Sequence, residues 1–330
     1  VASLIIVLMG STCLLAGCQL IEPDIRPRPP QNCAECHSEI YRQWSRSKHA
    51  IAWTNPDFIE TSTERTEAQC LPCHAPTPLL QQAPEMPTEL RDHNRHFGVD
   101  CKVCHFVNCK YAGPYDTWGP HPTTQETKRV GSAQFCGTCH LMELQEYKDL
   151  YVEAVESATT GGKPLKACAE CHMAARRSRL TQGHILSLAH PKRIVRDHSF
   201  PAWTNHLICG AVEVTKLDAH REPDGPFTVD FTLVNRGAGH RIPTGKFGNR
   251  EVLLVVELLD EQGSVLGSDE RSLLSNRTEG LAPEELTPFS MTVKVPEAVE
   301  PATVRLVVER VNRDRSIRHT FAERQQPVAP

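Results

Sequence analysis

The chain has 330 residues, more than one ordinary domain needs, so two structural regions are the starting expectation. Hydrophobic residues make up 39% and aromatic residues 6%, which is thin for a core of this size unless a non-protein group supplies apolar bulk. The formal net charge of -4, with no basic patch standing out, excludes nucleic-acid binding because nothing would neutralise the phosphates.

Residues 1–15 are uncharged and mostly apolar, short for a bilayer span and of the length of a secretory leader core. They run into Leu15-Ala16-Gly17-Cys18, which resembles the bacterial lipobox. That resemblance implies removal of residues 1–17 and a lipid anchor on Cys18. The alternative is an ordinary leader or short membrane helix with an incidental cysteine. No basic residue precedes the apolar run, so either Val1 is an unconventional start or the leader begins upstream. Residues 18–31 hold four prolines between Glu22 and Gln31 and are expected to form an extended spacer. The expected location is the periplasm or cell surface, as a membrane-anchored lipoprotein, with the outer membrane favoured.

Ten of the fourteen cysteines and five of the sixteen histidines form five pentapeptides. They are Cys33-Ala34-Glu35-Cys36-His37, Cys70-Leu71-Pro72-Cys73-His74, Cys101-Lys102-Val103-Cys104-His105, Cys136-Gly137-Thr138-Cys139-His140 and Cys168-Ala169-Glu170-Cys171-His172. Each is a c-type haem attachment motif: the spacing puts two thiols on one side of a turn to form thioethers, and the histidine becomes the proximal iron ligand. Five covalently bound haem c groups are the expected cofactors. Zinc sites also use Cys-x-x-Cys pairs, but they combine two pairs per metal, whereas five is odd and every pair here is followed by histidine. With Cys13 in the leader and Cys18 at the lipobox, Cys109 and Cys209 remain, either joined as a disulfide or as two buried thiols.

Methionine is scarce, with five in the chain, so a second histidine is expected on the far side of each iron. The apolar positions Ile40, Trp44 and Ile51 predict a helix over 38–52, with Trp44 and Trp53 as haem-packing core. His49 would then lie ~18 Å along that helix from His37 and reach a neighbouring haem rather than its own.

Cys33 to His37 followed by Ile40-Tyr41, Trp44, Ser47 and His49-Ala50 resembles the opening of the cytochrome c554 family of multihaem cytochromes. Gly98-Val99, Gly113-Pro114-Tyr115, Gly119-Pro120-His121, Phe135-Cys136 and Arg196-Asp197-His198-Ser199-Phe200 resemble its later blocks in order, over about residues 31 to 206. The resemblance implies His49, His121 and His198 as distal ligands, with His93 and His96 next and His206 after them. His184 and His190 have no block of their own. The family has four haems, so its ligand wiring does not transfer whole to a chain with five motifs.

After Leu207 the pattern changes to short alternating apolar stretches, at 208–215, 227–234, 252–259, 289–295, 304–310 and 317–321, with a turn at Asp260-Glu261-Gln262-Gly263. The fold class is therefore α+β: a helical, loop-rich multihaem domain over 32–206, then an all-β immunoglobulin-like sandwich over 207–330. Within the sandwich, Gly239-His240-Arg241-Ile242-Pro243-Thr244-Gly245 resembles a Gly-His-x-x-Pro-Thr-Gly element of sandwich domains fused to multihaem cytochromes. That implies His240 as a further iron ligand; the alternative is a structural loop. Arg250 is expected either to pair with a haem propionate or to be solvated.

The function expected is electron transfer, with redox proteins or membrane quinol-linked donors as partners. The alternatives are an oxidoreductase of small nitrogen compounds with one open iron, or a structural subunit of a surface cytochrome assembly. Ten propionates against five ferric cores lower the formal charge by about five, so an acidic holoprotein meeting a basic partner is expected.

Overall fold

The computed structural model describes residues 30–84, 86–117, 121–148, 166–182, 185–202, 205–221, 225–245, 250–275, 280–296, 299–312 and 314–328. The apolar leader, Cys18 and most of the spacer lie outside the described residues. The chain divides into two units, Val1–Cys139 with Ala167–Pro201, and His140–Lys166 with Ala202–Pro330.

In the first unit secondary structure is short and serves the motifs. Helices Pro30–Ala34, Leu71–His74, Cys101–His105, Ala133–Gly137 and Cys168–His172 each carry all or part of one pentapeptide. Polar side chains start three of them: Asp100 accepts from Lys102 N at 2.9 Å, Ser132 Oγ accepts from Phe135 N at 3.2 Å, and the Glu170 carboxylate accepts from Ala167 N at 2.7 Å. The main protein-only core here is small, with Leu79, Leu80, Val103, Ala112 and Phe135. Two small sheets complete the unit. One has β1 (Phe106–Val107), β2 (Lys110–Gly113) and β3 (Thr123–Gln125), and the other is a hairpin of β4 (Ala175–Ser178) and β5 (Arg193–Arg196).

The helix expected over 38–52 is shorter, ending as Ser38–Trp44. Beyond it Arg46 N donates to Gln43 O and Ser47 N to Trp44 O, so the chain tightens into successive three-residue turns. Trp44 is buried and its indole donates to Val99 O at 2.8 Å, which fixes the helix end against residues 98–100. Ile51, at 38% exposure, is not part of an apolar stripe. His49 therefore sits on a turn, and the ~18 Å separation expected for a straight helix does not apply. Trp53 is half-buried rather than core, with the Arg65 and Arg95 guanidinium groups 5.3 and 5.7 Å from its ring.

The second unit is a β-sandwich. One sheet is β6 (Val212–Arg221), β7 (Phe227–Asn235) and β10 (Leu286–Val293), in the order β10-β7-β6. The other is β8 (Glu251–Leu259), β9 (Val265–Leu274), β11 (Thr303–Val311) and β12 (Arg318–Pro327), in the order β12-β11-β8-β9. All pairs are antiparallel, and inward residues from both sheets, among them Phe231, Leu233, Leu254, Leu258, Leu306 and Val308, form one core. The α+β class holds, with one local correction: residues expected to open the first strand at Ile208 end a helix, Asn205–Ile208, and the strand starts at Val212.

Gly98 joins the turn of His49 to the third motif. Its φ is +58°, and a Cβ there would lie 2.5 Å from the His49 carbonyl oxygen, to which Val99 N donates at 2.9 Å. Gly98→Ala should therefore destabilise the protein by about 1–3 kcal/mol in denaturant titration. Gly113→Ala, whose Cβ meets nothing within 4 Å, should stay within about 0.5 kcal/mol of the parent. Equal stabilities for the two variants would contradict the close approach.

Candidate haem-binding site

Each helical turn brings its motif's histidine back over the cysteines; His37 N, for example, donates to Cys33 O at 2.7 Å. Four of the five proximal imidazoles are then held by a backbone carbonyl through Nδ1. His37 bonds Leu180 O at 2.8 Å, His74 bonds Ala52 O at 2.6 Å, His105 bonds Ala112 O at 2.7 Å and His172 bonds Pro201 O at 2.8 Å. A carbonyl only accepts, so Nδ1 carries the proton and Nε2 keeps its lone pair for a metal.

Two second imidazoles face these rings. His37 and His121 have ring centroids 6.3 Å apart, and His105 and His198 have centroids 6.0 Å apart. Two metal–nitrogen bonds of about 2 Å, plus about 1.1 Å from each nitrogen to its ring centre, require about 6.2 Å for an iron between two imidazoles. The spacing therefore fits haem iron. His121 Nδ1 is buried without a hydrogen-bond partner, an orphan that a metal would satisfy. Burial pushes the His105 and His121 pKa values down, and burial followed by the nearby His105 pushes His198 down to about 4. All three stay neutral at pH 7, the form that ligates.

The other candidates are placed differently. His49 lies edge-on to Phe200 with centroids 4.3 Å apart, and Phe200 also meets His198 at 5.9 Å. His93 and His96 are exposed, with His96 against Phe97. The side chains of His184 and His206 lie outside the described residues. Phe58, missed by sequence reasoning, stacks flat on His74 at 3.6 Å, from a helix (Pro56–Thr61) that Asn55 caps. Its only signal was the Asn-Pro helix start just before it.

The cysteines bring the motifs together. The Cys33 thiol lies beside that of Cys101, Cys73 beside Cys139, and Cys136 beside Cys168. Cys104 is close enough to act electrostatically on both Cys136 and Cys139. First and third, second and fourth, third and fourth, and fourth and fifth motifs are thus neighbours. Among the described residues no group of three or more His, Cys, Asp or Glu side chains forms a metal-holding cluster. Cys109 is disulfide-bonded, but Cys209 is a free, exposed thiol, so the pairing of these two considered from sequence does not form.

In the second unit, His240 is half-buried with Nδ1 on Arg241 O at 2.9 Å, and Asn235 donates to His240 O at 2.8 Å. Residues 141–148 are helical and follow His140 directly. Glu146 on this helix accepts from Arg241 N at 2.8 Å and from Thr244 Oγ1 at 3.0 Å. Glu143 pairs with Arg250 at 2.9 Å, and the arginine side chain stays 40% exposed. Burial opposes the charge on Glu143, but His140 and Arg250 outweigh it and hold the carboxyl below its usual range. Glu146→Ala would strand two donors of the His240 loop, and unfolding of the variant should show a loss of about 1–3 kcal/mol. Stability equal to the parent's would mean that the clamp contributes nothing.

The model of the cytochrome c554 and c-prime family matches residues 32–106. A penta-haem cytochrome c552 from Thermochromatium tepidum is similar in structure, with a TM-score of 0.60 at 16% identity, over 90% of this chain and 98% of that one. A glycosyl hydrolase family 2 member from Bacteroides cellulosilyticus (14% identity, 37% of this chain, 15% of that chain, TM-score 0.21) and the putative ApaA protein from Bordetella pertussis (14% identity, 36% of this chain, 91% of that chain, TM-score 0.20) are too slightly alike to carry an argument. No curated protein matches the chain. The likeness to the penta-haem protein is one of fold, and over part of its length this chain has the fold of a multihaem c-type cytochrome.

Proposed function

We propose that this chain is an extracytoplasmic electron-transfer protein holding five covalent haem c groups and exchanging single electrons with redox proteins or membrane quinol-linked donors. The observation that carries the reading is the opposition of imidazoles at iron-ligand spacing, His37 to His121 and His105 to His198. Bound haem would supply a one-electron iron couple, and two imidazoles per iron favour a low potential.

The residues divide the work. Cys33 and Cys36, Cys70 and Cys73, Cys101 and Cys104, Cys136 and Cys139, and Cys168 and Cys171 tether the five groups, and His37, His74, His105, His140 and His172 take the proximal positions. The proximity of Cys33 to Cys101, Cys73 to Cys139, Cys136 to Cys168 and Cys104 to Cys136 and Cys139 supports a single connected relay in which the fourth motif is the branch point. His121 and His198 serve the first and third motifs. His49 and His240 serve others, with His93, His96 and His206 as further candidates. The fourth motif is the best match for His240, because Glu146, one turn and a half beyond His140, holds the His240 loop. Cys18 anchors the protein to the membrane by lipid.

Mass spectrometry of the mature protein should find five haems, and electron paramagnetic resonance should find low-spin iron. His121→Ala and His198→Ala should each convert one low-spin haem to high-spin, as should His240→Ala, while His93→Ala should serve as a comparison for an exposed imidazole. Fewer than five haems, or unchanged spectra in both His121→Ala and His198→Ala, would sink the reading. Cys18→Ser should release the protein from membranes with its haem content intact; continued membrane attachment would point to a spanning leader or a bound partner.

A further inference from the structure

We propose that the β4–β5 hairpin, with Leu188 and Lys192 ahead of its second strand, forms the docking surface for an acidic redox protein, which exchanges electrons through the fifth motif. The inference rests on the five-haem reading and adds to it the place and charge of the partner.

Residues 174–196 contain Arg176, Arg177, Arg179, Lys192, Arg193 and Arg196 and no Asp or Glu, in a chain of net charge -4. Sequence reasoning missed this run because the whole-chain charge conceals it. The hairpin register pairs Ala175 with Arg196, Arg176 with Val195, Arg177 with Ile194 and Ser178 with Arg193. Side chains opposite one another share a face, and successive ones alternate. One face turns inward: Val195 is 4% exposed, Arg176 pairs with Glu39 at 3.2 Å, and Arg193 lies over the Tyr115 ring at 4.7 Å. The other face presents Arg177 beside Ile194, which is 53% exposed, and the connection adds exposed Lys192 and Leu188, the latter 70% exposed. Among the described residues no carboxylate pairs with Arg177 or Lys192.

An apolar centre with unpaired cations beside it is the anatomy of a small transient contact, and the cations select a carboxylate-bearing face. Its position suits electron exchange. Ala175 is three residues past His172 in the chain, and Arg196 donates to Ala169 O at 2.9 Å and Met173 O at 3.3 Å on and beside the fifth motif's helix. At its far end the same segment supplies Leu180 O to His37 and a Gln182 N–H to Cys36 O at 2.7 Å. A partner on the outer face would be held on chain that is bonded directly to the fifth and first motifs. Over a Debye length of about 8 Å this local positive field, rather than the acidic total, decides the encounter.

The test uses the full holoprotein and stopped-flow electron transfer from a reduced acidic [2Fe–2S] ferredoxin. The parent rate should fall as salt rises. Arg177→Glu with Lys192→Glu should slow it roughly tenfold at low salt and flatten or reverse the salt dependence. Haem count, absorption spectrum and haem potentials should be unchanged. A rate insensitive to the double substitution, or a parent rate that rises with salt, overturns the proposal. So does a slowed rate accompanied by shifted haem potentials, which would make the cations internal partners of propionates. Loss of sedimentation with phosphatidylglycerol vesicles at an unchanged ferredoxin rate would assign the surface to anionic lipid instead. A haem count below five would count against the five-haem reading separately.

Discussion

Four histidines in attachment motifs lean on backbone carbonyls 7 to 143 residues away in the chain, and much of the first unit follows from those bonds. The carbonyls belong to Leu180, Ala52, Ala112 and Pro201. Each bond fixes one imidazole's tautomer and orientation, and each pins a loop that has little secondary structure of its own. The bond from His37 reaches 143 residues along the chain and brings in the basic hairpin. The bond from His74 ends at Ala52, in the turn that also supplies the His49 carbonyl to Val99. The ligand bonds thus replace part of what helix and sheet packing would otherwise do.

The two units solve the same thermodynamic problem differently. The sandwich buries continuous rows of Val, Leu and Phe from two sheets, and its polar edges are tied by pairs such as Arg305 with Glu257 and Glu323. The first unit has a small protein-only core and five helical turns that end in potential iron ligands. Covalent attachment of the proposed haems would suit such a unit, because a tethered flat group would supply apolar bulk that the sequence lacks and would not be lost when a loop opens. Buried charge is handled by direct pairing, as where Arg91 meets Asp100 at 2.7 Å while Asp100 also caps the third motif's helix.

Charge shows why totals mislead. The formal charge of -4 favours a basic partner, yet residues 174–196 gather cations without a carboxylate in their own segment. Glu39 takes up Arg176, and its carboxyl, bonded by Arg42 and also by Gln43 and Arg176, is pushed down to about 2. Arg177 projects on the opposite face of the strand, and among the described residues no carboxylate pairs with it. Alternation along one short strand therefore separates a structural arginine from one available to a partner.

The five pentapeptides and the change from helical to strand periodicity after Leu207 were legible in the sequence, because each is a local pattern of residue types. The candidacy of His121 and His198 was legible too, from the short blocks around them. Which motif each imidazole faces was not, since His37 meets His121 and His105 meets His198 across loops whose course depends on packing. Periodicity also overextended one helix past Trp44, where the indole bond to Val99 and a run of tight turns end it. Arg250 could not be assigned from its neighbours in sequence, because its partner Glu143 is 107 residues away. Spacing and residue type determined the chemistry this chain can hold. Tertiary structure decided which groups meet, because long-range carbonyl bonds, cysteine contacts and carboxylate clamps join segments that no local pattern relates.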